Sequence, residues 1–275
     1  MSLFRCPLCQ APLSRGETSY RCPAGHSFDR AKEGYVHLLP ANKMHSKSPG
    51  DDKGMAMARN RFLSGGYYAH LREKLCDLAL IYTEGLDSPA VLDSGCGEGY
   101  YTAGVAETLS AAGRTPRVAG VDLSKPSVRY AAKRAKAAEF AVASVYHLPV
   151  ANESIDLLLN CFSPLALEEF RRVLKPGGVY LYVVPAADHL WELKQVLYEK
   201  PYPNPEEAVA YEGFDYLDIV SAEAKRALPD AQTIHDLFQM TPYYWKTPKA
   251  GAERLAALET LDVTAAFRIH VFRRQ

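Results

Sequence analysis

Two groups of residues in this chain have the types and spacing to do chemistry. The first is Asp93-Ser94-Gly95-Cys96-Gly97-Glu98-Gly99, three glycines at alternate positions directly after the apolar run Ala90 to Leu92. A short buried strand, a glycine turn and then a helical stretch from Tyr101 to Leu109 open a doubly wound α/β domain, whose ligand lies at the strand's carboxyl end. Glycine belongs in that turn because a side chain would hold the backbone away from the ligand, and positive φ costs glycine little. Charge narrows the ligand. A pyrophosphate would be attracted by the amides of the helix N-terminus but repelled by Asp93 and Glu98. Two carboxylates suit a ligand with an ammonium group and no phosphate, and S-adenosylmethionine is such a ligand. Val118-Ala119-Gly120-Val121-Asp122 reads as the next strand and ends in an acid. An acid roughly 20 residues past the glycine loop can take both ribose hydroxyls. The plain alternative is a turn with an N-capping acid; the presence of both Asp93 and Asp122 favours the ligand.

The second group is Cys6-Pro7-Leu8-Cys9, followed after about a dozen residues by Cys22 and His26. This C-x2-C, C-x3-H pattern brings four ligands to a tetrahedral Zn2+ through two knuckles joined by a hairpin, with Gly25 supplying the turn before His26. Four protein ligands leave no open position, so the predicted role is structural. A segment this short cannot build its own core, and metal binding supplies its folding free energy. Disulfides are the competing reading; the spacing and a cytosolic setting argue against them. Cys76, Cys96 and Cys161 have no partners at ligand spacing and read as small buried apolar residues.

The elements that must position these groups follow from the pattern of the chain. Its 275 residues, 48% hydrophobic and 23% charged, suffice for one large α/β core with a small appendage. Residues 1–40 read as a zinc-binding module that ends in a strand near Val36. Residues 41–84 read as a linker and two helices, Lys53 to Leu63 and Tyr68 to Tyr82, covering the cofactor site. Residues 85–275 read as the main domain. There strands near Ala90–Leu92, Arg117–Val121, Phe140–Ala143, Ile155–Cys161 and Val179–Val184 alternate with helices, which predicts a parallel sheet with helices on both faces. Further helices are expected at Leu193 to Tyr198 and Ile234 to Phe238, and one or two closing strands between Leu261 and Arg273. No apolar run approaches the roughly 20 residues that span a bilayer, and the first residues lack the apolar core of a signal peptide. A cytoplasmic protein is expected. Net charge is zero, but basic residues predominate before residue 75 and acids between Asp188 and Asp236. This asymmetry points to a polyanion near the N-terminal part or, more blandly, to two solvated faces of opposite sign.

The Asp-x-Gly-x-Gly-x-Gly run resembles the first motif of the class I (Rossmann-like) S-adenosylmethionine-dependent methyltransferases. In that fold the acceptor is presented at the end of strand four, here Asn160-Cys161-Phe162-Ser163-Pro164. Enzymes methylating exocyclic amines of bases often carry D/N-P-P-Y/F there. The departure at Cys161-Phe162-Ser163 favours a ring nitrogen, oxygen or carbon acceptor. Asn160 either takes part in the chemistry or caps the turn; Phe162 either stacks on a base or packs.

Taken over nearly its whole length, the chain resembles the bacterial 23S rRNA guanine-N1 methyltransferases. The resemblance rests on the Cys-x2-Cys…Cys-x3-His ribbon, Ala31-Lys32-Glu33-Gly34-Tyr35-Val36, Pro49-Gly50-Asp51, Arg59-x-Arg61-Phe62-Leu63, the glycine motif, Arg172-Val173-Leu174-Lys175-Pro176-Gly177-Gly178 and Met240-Thr241-Pro242-Tyr243. It implies S-adenosylmethionine as cofactor, a structural zinc in an RNA-reading module, and methylation at N1 of a guanine in a 23S rRNA hairpin loop. Ser163-Pro164 is similar to the subfamily linked to macrolide tolerance. Carried over residue by residue, cofactor contacts fall on Tyr68, Asp93, Gly95, Gly97, Tyr101, Thr102, Asp122 and His189, and zinc ligands on Cys6, Cys9, Cys22 and His26. No catalytic base transfers; Asn160, Asp188 and His189 are the candidates, with Glu98 a further carboxylate. Arg15, Arg21, Arg30, Lys32, Arg59 and Arg61 are candidate phosphate contacts. The expected partner is the rRNA hairpin with no membrane, and a homodimer is allowed for. Two rival functions stand beside this one: a small-molecule methyltransferase with an aromatic lid between Glu206 and Tyr244, and a zinc-bearing RNA-binding assembly factor.

Overall fold

The computed structural model describes residues 2–40, 50–206 and 210–275. The expected polar loop from Ala41 falls largely outside them. The N-terminal module is a three-stranded antiparallel sheet of β1 (Ser14–Arg15), β2 (Ser19–Arg21) and β3 (Ser27–Asp29). Then β4 (Val36–His37) leaves the module and joins the edge of the main sheet. Helices α1 (Lys53–Ser64) and α2 (Ala69–Tyr82) follow. Asp52 caps α1 by accepting from the Met55 amide at 2.9 Å.

The main domain runs β5 (Ala90–Ser94), α3 (Tyr100–Ala111), β6 (Arg117–Asp122), α4 (Lys125–Arg134), β7 (Glu139–Val142), β8 (Ile155–Cys161), α5 (Leu167–Val173), β9 (Leu174–Pro185), α6 (Trp191–Leu197), β10 (Phe214–Leu228), α7 (Ala231–Gln239), α8 (Tyr243–Lys246), α9 (Lys249–Ala256) and β11 (Leu261–Arg274). The eight-stranded sheet has the order β10-β11-β9-β8-β5-β6-β7-β4. From β9 to β4 every neighbour is parallel; β11 is antiparallel to both β9 and β10. The parallel core therefore matches the expectation, and the antiparallel edge adds to it.

Strand β10 has no counterpart in the sequence reading, and its register gives the reason. A bulge between Tyr216 and Asp218 inserts one residue against β11, so residues of one parity change faces along the strand. Phe214 packs in the cluster on one face of the sheet, whereas Ala222 and Leu228 pack in the cluster on the other. Most other side chains of β10 are exposed or half-buried, so neither a clean alternation nor an apolar run marks it.

The two faces of the parallel sheet are covered differently. The face carrying Val91, Val118, Leu157 and Val183 packs against α1, α2, α3 and α4, with α6, α7 and α9 toward the other edge. The opposite face, carrying Leu92, Val121, Ala141 and Tyr180, packs against α5 and the zinc module, not against a full helical layer. Phe4, Leu13 and Tyr20 are fully buried in that cluster. Arg5 donates its amide to Pro149 O at 2.7 Å, and Tyr20 Oη donates to Glu139 at 3.3 Å. Each such ring or leucine contributes roughly 1.5–3 kcal/mol of burial. The module is thus a wall of the main core as well as an appendage.

Candidate functional site

β5 lies between β6 and β8, so the chain reverses its direction of sheet-building there and leaves a crevice at the strand's carboxyl end. Gly95, Gly97 and Gly99 all hold left-handed backbone, with φ of 84°, 53° and 78°. Two of them also lack room for a side chain: a Cβ on Gly95 would strike the Ser163 side chain, and one on Gly99 would lie 2.8 Å from Ala131 Cβ. The amides of Gly95 and Cys96 both donate to Val121 O, at 2.8 and 2.9 Å. Asp122 fastens the loop further. One carboxylate oxygen accepts from the Gly97 amide at 3.0 Å and the other from the Ser124 amide at 2.7 Å.

Asp93 is 1% exposed. Thr102 Oγ1 donates to its Oδ2 at 2.5 Å, and its Oδ1 has no partner among the described residues. Burial pushes the Asp93 carboxyl up to about 7, and the nearby charges of Asp122 and Glu98 push the same way. Burial also raises Glu98 and Asp122, while the Arg59 guanidinium acts to lower both. An orphaned, buried carboxylate oxygen beside two further acids is a strong acceptor for a cation and a poor site for a phosphate. The chemistry of these residues therefore fits S-adenosylmethionine.

The cleft measures about 700 Å³. Tyr68, Asp93, Gly95, Gly97, Tyr101, Asp122 and His189, all expected at the cofactor, line it. Thr102 stands behind them and holds Asp93. Tyr68, Phe267 and His189 meet edge to face or tilted, with ring centroids 4.5–6.0 Å apart. Burial raises the Tyr68 and Tyr101 phenols, so both stay neutral; the Tyr101 hydroxyl is a second buried polar atom without a protein partner among the described residues.

The catalytic candidates separate. His189 faces the cleft, and burial, with the Lys194 charge adding, lowers it to about 3. Its Nδ1 accepts from the Ala266 amide at 3.2 Å, which leaves Nε2 to carry the single ring proton. A neutral imidazole so arranged is a hydrogen-bond donor and a weak base. Asn160 is fully buried outside the cleft lining, and its Nδ2 donates to Pro164 O at 3.0 Å, the turn-capping alternative. Asp188 is exposed and also lies outside the lining.

Arg59 was expected to meet phosphate. Instead it turns into the cleft, where it pairs with Asp51 and donates to Met240 O at 3.0 Å. Arg61 joins α1 to α7 through two bonds to the buried Asp236, at 2.8 and 2.5 Å. Arg30 bonds Gly34 O and Glu17 O. Arg15, Arg21 and Lys32 are exposed. Phe267, Asn204 and Tyr182 also line the cleft and went unread in the sequence. No local pattern distinguishes them; Met240 to Tyr243, by contrast, carried a motif and do line it.

The metal ligands come together. The ligand atoms of Cys6, Cys9, Cys22 and His26 all lie within 4.8 Å of one another. Cys9 Sγ and Cys22 Sγ are 3.7 Å apart; His26 Nδ1 lies 3.5 Å from Cys6 Sγ and 3.3 Å from Cys22 Sγ. Tetrahedral bonds of about 2.3 Å to sulfur and 2.0–2.1 Å to nitrogen set ligand–ligand edges of roughly 3.5–3.8 Å. The cluster fits Zn2+, with His26 binding through Nδ1. All four positions are protein, so the ion is structural. The cysteines are free thiols.

Comparison with known proteins adds identity to this geometry. A zinc-ribbon family described as "RlmA, N-terminal" matches residues 4–47, and the family "Methyltransferase domain" matches residues 91–178. The 23S rRNA (guanine(748)-N(1))-methyltransferase of Streptomyces fradiae is 35% identical over 272 residues, 95% of this chain and 94% of that protein. A provisionally named 23S rRNA (guanine-N(1)-)-methyltransferase of Bacillus subtilis is 33% identical over 276 residues, 96% of this chain and 94% of its own length. A malonyl-[acyl-carrier protein] O-methyltransferase of Yersinia pestis is 33% identical over 115 residues, but these cover only 38% of this chain.

Proposed function

The chain belongs to the 23S rRNA (guanine-N(1))-methyltransferases, and from that membership we propose that it methylates N1 of a guanine in a 23S rRNA hairpin loop. The observation that carries the reading is the full-length relationship to a guanine(748)-N(1) enzyme. The cleft whose acids suit a cationic cofactor supports it. The small-molecule alternative has less behind it, since the acyl-carrier-protein relative matches only 38% of this chain. When bound, S-adenosylmethionine supplies an electrophilic methyl group for a single displacement, with no covalent enzyme intermediate.

The chain's own residues do the rest. Asp122 orients the ribose end and Asp93 meets positive charge. The rings of Tyr68, Phe267 and His189 form a rigid side of the cleft against which the reacting groups are positioned. Positioning of this kind supplies much of the acceleration. Guanine N1 bears a proton, so charge develops toward O6 as that proton departs to water. The His189 Nε2–H is the donor suited to O6. Its neutrality matters: an imidazolium beside the sulfonium would oppose cofactor binding.

The test is methyl transfer to a 23S rRNA fragment that lacks its own modification, followed by mass mapping of the nucleosides. One loop guanine should become 1-methylguanosine, and the position matching 748 is the first to assay. Product at an exocyclic amine, or none at all, would overturn the reading.

A further inference from the structure

We propose that Phe162 is the platform on which the target guanine stacks, an inference that rests on the RNA reading above. Phe162 begins the loop after β8, at the carboxyl end of that strand, and it lines the cleft. Its backbone φ is 57°, in the left-handed region that a bulky side chain avoids. The residue is nevertheless 48% exposed. An apolar ring in unfavourable backbone, half in water, gains little from packing. Strain of this kind persists where the surrounding structure imposes it and a function uses it.

The surroundings do impose it. Asn160 Nδ2 holds Pro164 O at 3.0 Å and closes the turn. The bare Gly95 leaves the space that the Ser163 side chain fills. One side of the Phe162 ring is supported: Phe267 lies 5.5 Å away at 54°, and is itself buried against Tyr68 and His189. Phe162 is thus the outermost of a run of rings that begins in the core and ends in the cleft. Among the described residues, only Phe162 and Tyr146 of the exposed large apolar side chains line this cleft; Ile81 and Trp245, for example, lie elsewhere.

A planar uncharged ring at that place matches what the substrate lacks. Guanine N1 is buried in pairing within a duplex, so the base must leave its stack before transfer. An aromatic face restores the stacking it gave up and fixes the plane of the ring without contacting its edge. The edge is then free for the His189 donor and the methyl group.

The test compares wild type with Phe162→Ala, Phe162→Tyr, Phe162→Asn and, as a control far from the cleft, Ile81→Ala. Phe162→Ala should lower kcat/KM for the rRNA fragment roughly tenfold to a hundredfold, with most of the change in KM, as loss of one base–aromatic stack does. Calorimetric affinity for S-adenosylmethionine should stay put, Phe162→Tyr should keep wild-type activity, and Ile81→Ala should behave as wild type. Asparagine accepts the left-handed backbone, so Phe162→Asn should melt no lower than wild type while losing activity as alanine does. Unchanged kcat/KM in Phe162→Ala sinks the platform alone. A lowered melting point in Phe162→Asn, with weakened cofactor binding in Phe162→Ala, would make the ring a packing element and also overturn it. A wild-type protein that leaves the fragment unmethylated sinks both the platform and the function it rests on.

Discussion

The zinc cluster and the cofactor cleft are both confined sets of polar groups, but they are assembled in opposite ways. The cluster is complete between Cys6 and His26, and two knuckles bring its four ligand atoms within 4.8 Å of one another. The cleft draws Asp51, Tyr68, Asp93, Asp122, His189 and Tyr243 from the whole length of the chain. One is closed, with all four positions filled by protein. The other keeps a carboxylate oxygen on Asp93 and a hydroxyl on Tyr101 that have no partner among the described residues. Closed polarity serves folding; open polarity is what a ligand binds.

The zinc module also supports the domain that holds the cleft. It covers the sheet face opposite α1 to α4, with Phe4, Leu13 and Tyr20 in the common core. Removing residues 1–40 would strip β4 and that wall, so such a truncation cannot separate RNA binding from folding. The largest expected effect follows. Cys9→Ser or chelation should abolish bound zinc and destabilise the whole chain, since metal binding is folding free energy here. Metal analysis and calorimetric melting check it. A zinc-free protein with an unchanged melting point would make the module a true appendage.

Next comes Asp122→Ala. It removes an acceptor for the ribose and also frees the Gly97 and Ser124 amides. Affinity for S-adenosylmethionine should fall by on the order of 1.5–3 kcal/mol in calorimetry, while zinc content stays the same. Unchanged affinity would remove Asp122 from the cofactor site.

A smaller effect is a pH dependence confined to the cleft. A cationic ligand needs Asp93 ionised, and the free protein holds its carboxyl at about 7. Affinity should therefore rise as pH rises toward and through 7, level off above it, and be accompanied below it by proton release. The same raised carboxyl binds its proton more tightly folded than unfolded. It therefore favours the ligand-free fold at low pH, and that contribution is lost as pH rises from the ordinary carboxylate range through about 7. Asp93→Asn should flatten both profiles. A flat binding profile in wild type would show that Asp93 does not meet the ligand's charge.

The smallest effects separate charges that hold the fold from charges that meet RNA. Arg61→Ala leaves Asp236 buried with Gln232 as its one side-chain donor among the described residues. It should cost about 1–3 kcal/mol of stability and leave the salt dependence of RNA binding alone. Arg15→Ala or Arg21→Ala should do the reverse, each flattening the log–log salt slope by roughly one unit. A flattened slope in Arg61→Ala would return that residue to the RNA surface.

Much of the site was legible because its signals are local. Cys6 to His26 declare a ligand set by spacing, and Asp93 to Gly99 declare a turn by glycine. Asp122 is found by counting to the end of the next strand. The partners of Arg59 and Arg61 were not legible because a surface-like arginine on an amphipathic helix has the same local pattern whether its partner is phosphate, Asp51 or Asp236. β10 was hidden by its bulge, and Phe267 is one apolar residue among many on β11. Asn160, Asp188 and His189 were indistinguishable as polar residues near strand ends. Burial and one backbone amide, from Ala266, set His189 apart.

The sequence by itself determined the metal set, the glycine loop, the placing of Asp93 and Asp122 at strand ends and the alternation of strand and helix in the parallel core, since each depends on neighbours within one βα unit or one hairpin. Only the tertiary structure decided which charges face inward, that the zinc module walls the sheet, and that Phe162 reaches the cleft in left-handed backbone. Those outcomes depend on what packs across the sheet from distant segments, and side-chain partners at long separation leave no mark on the local pattern.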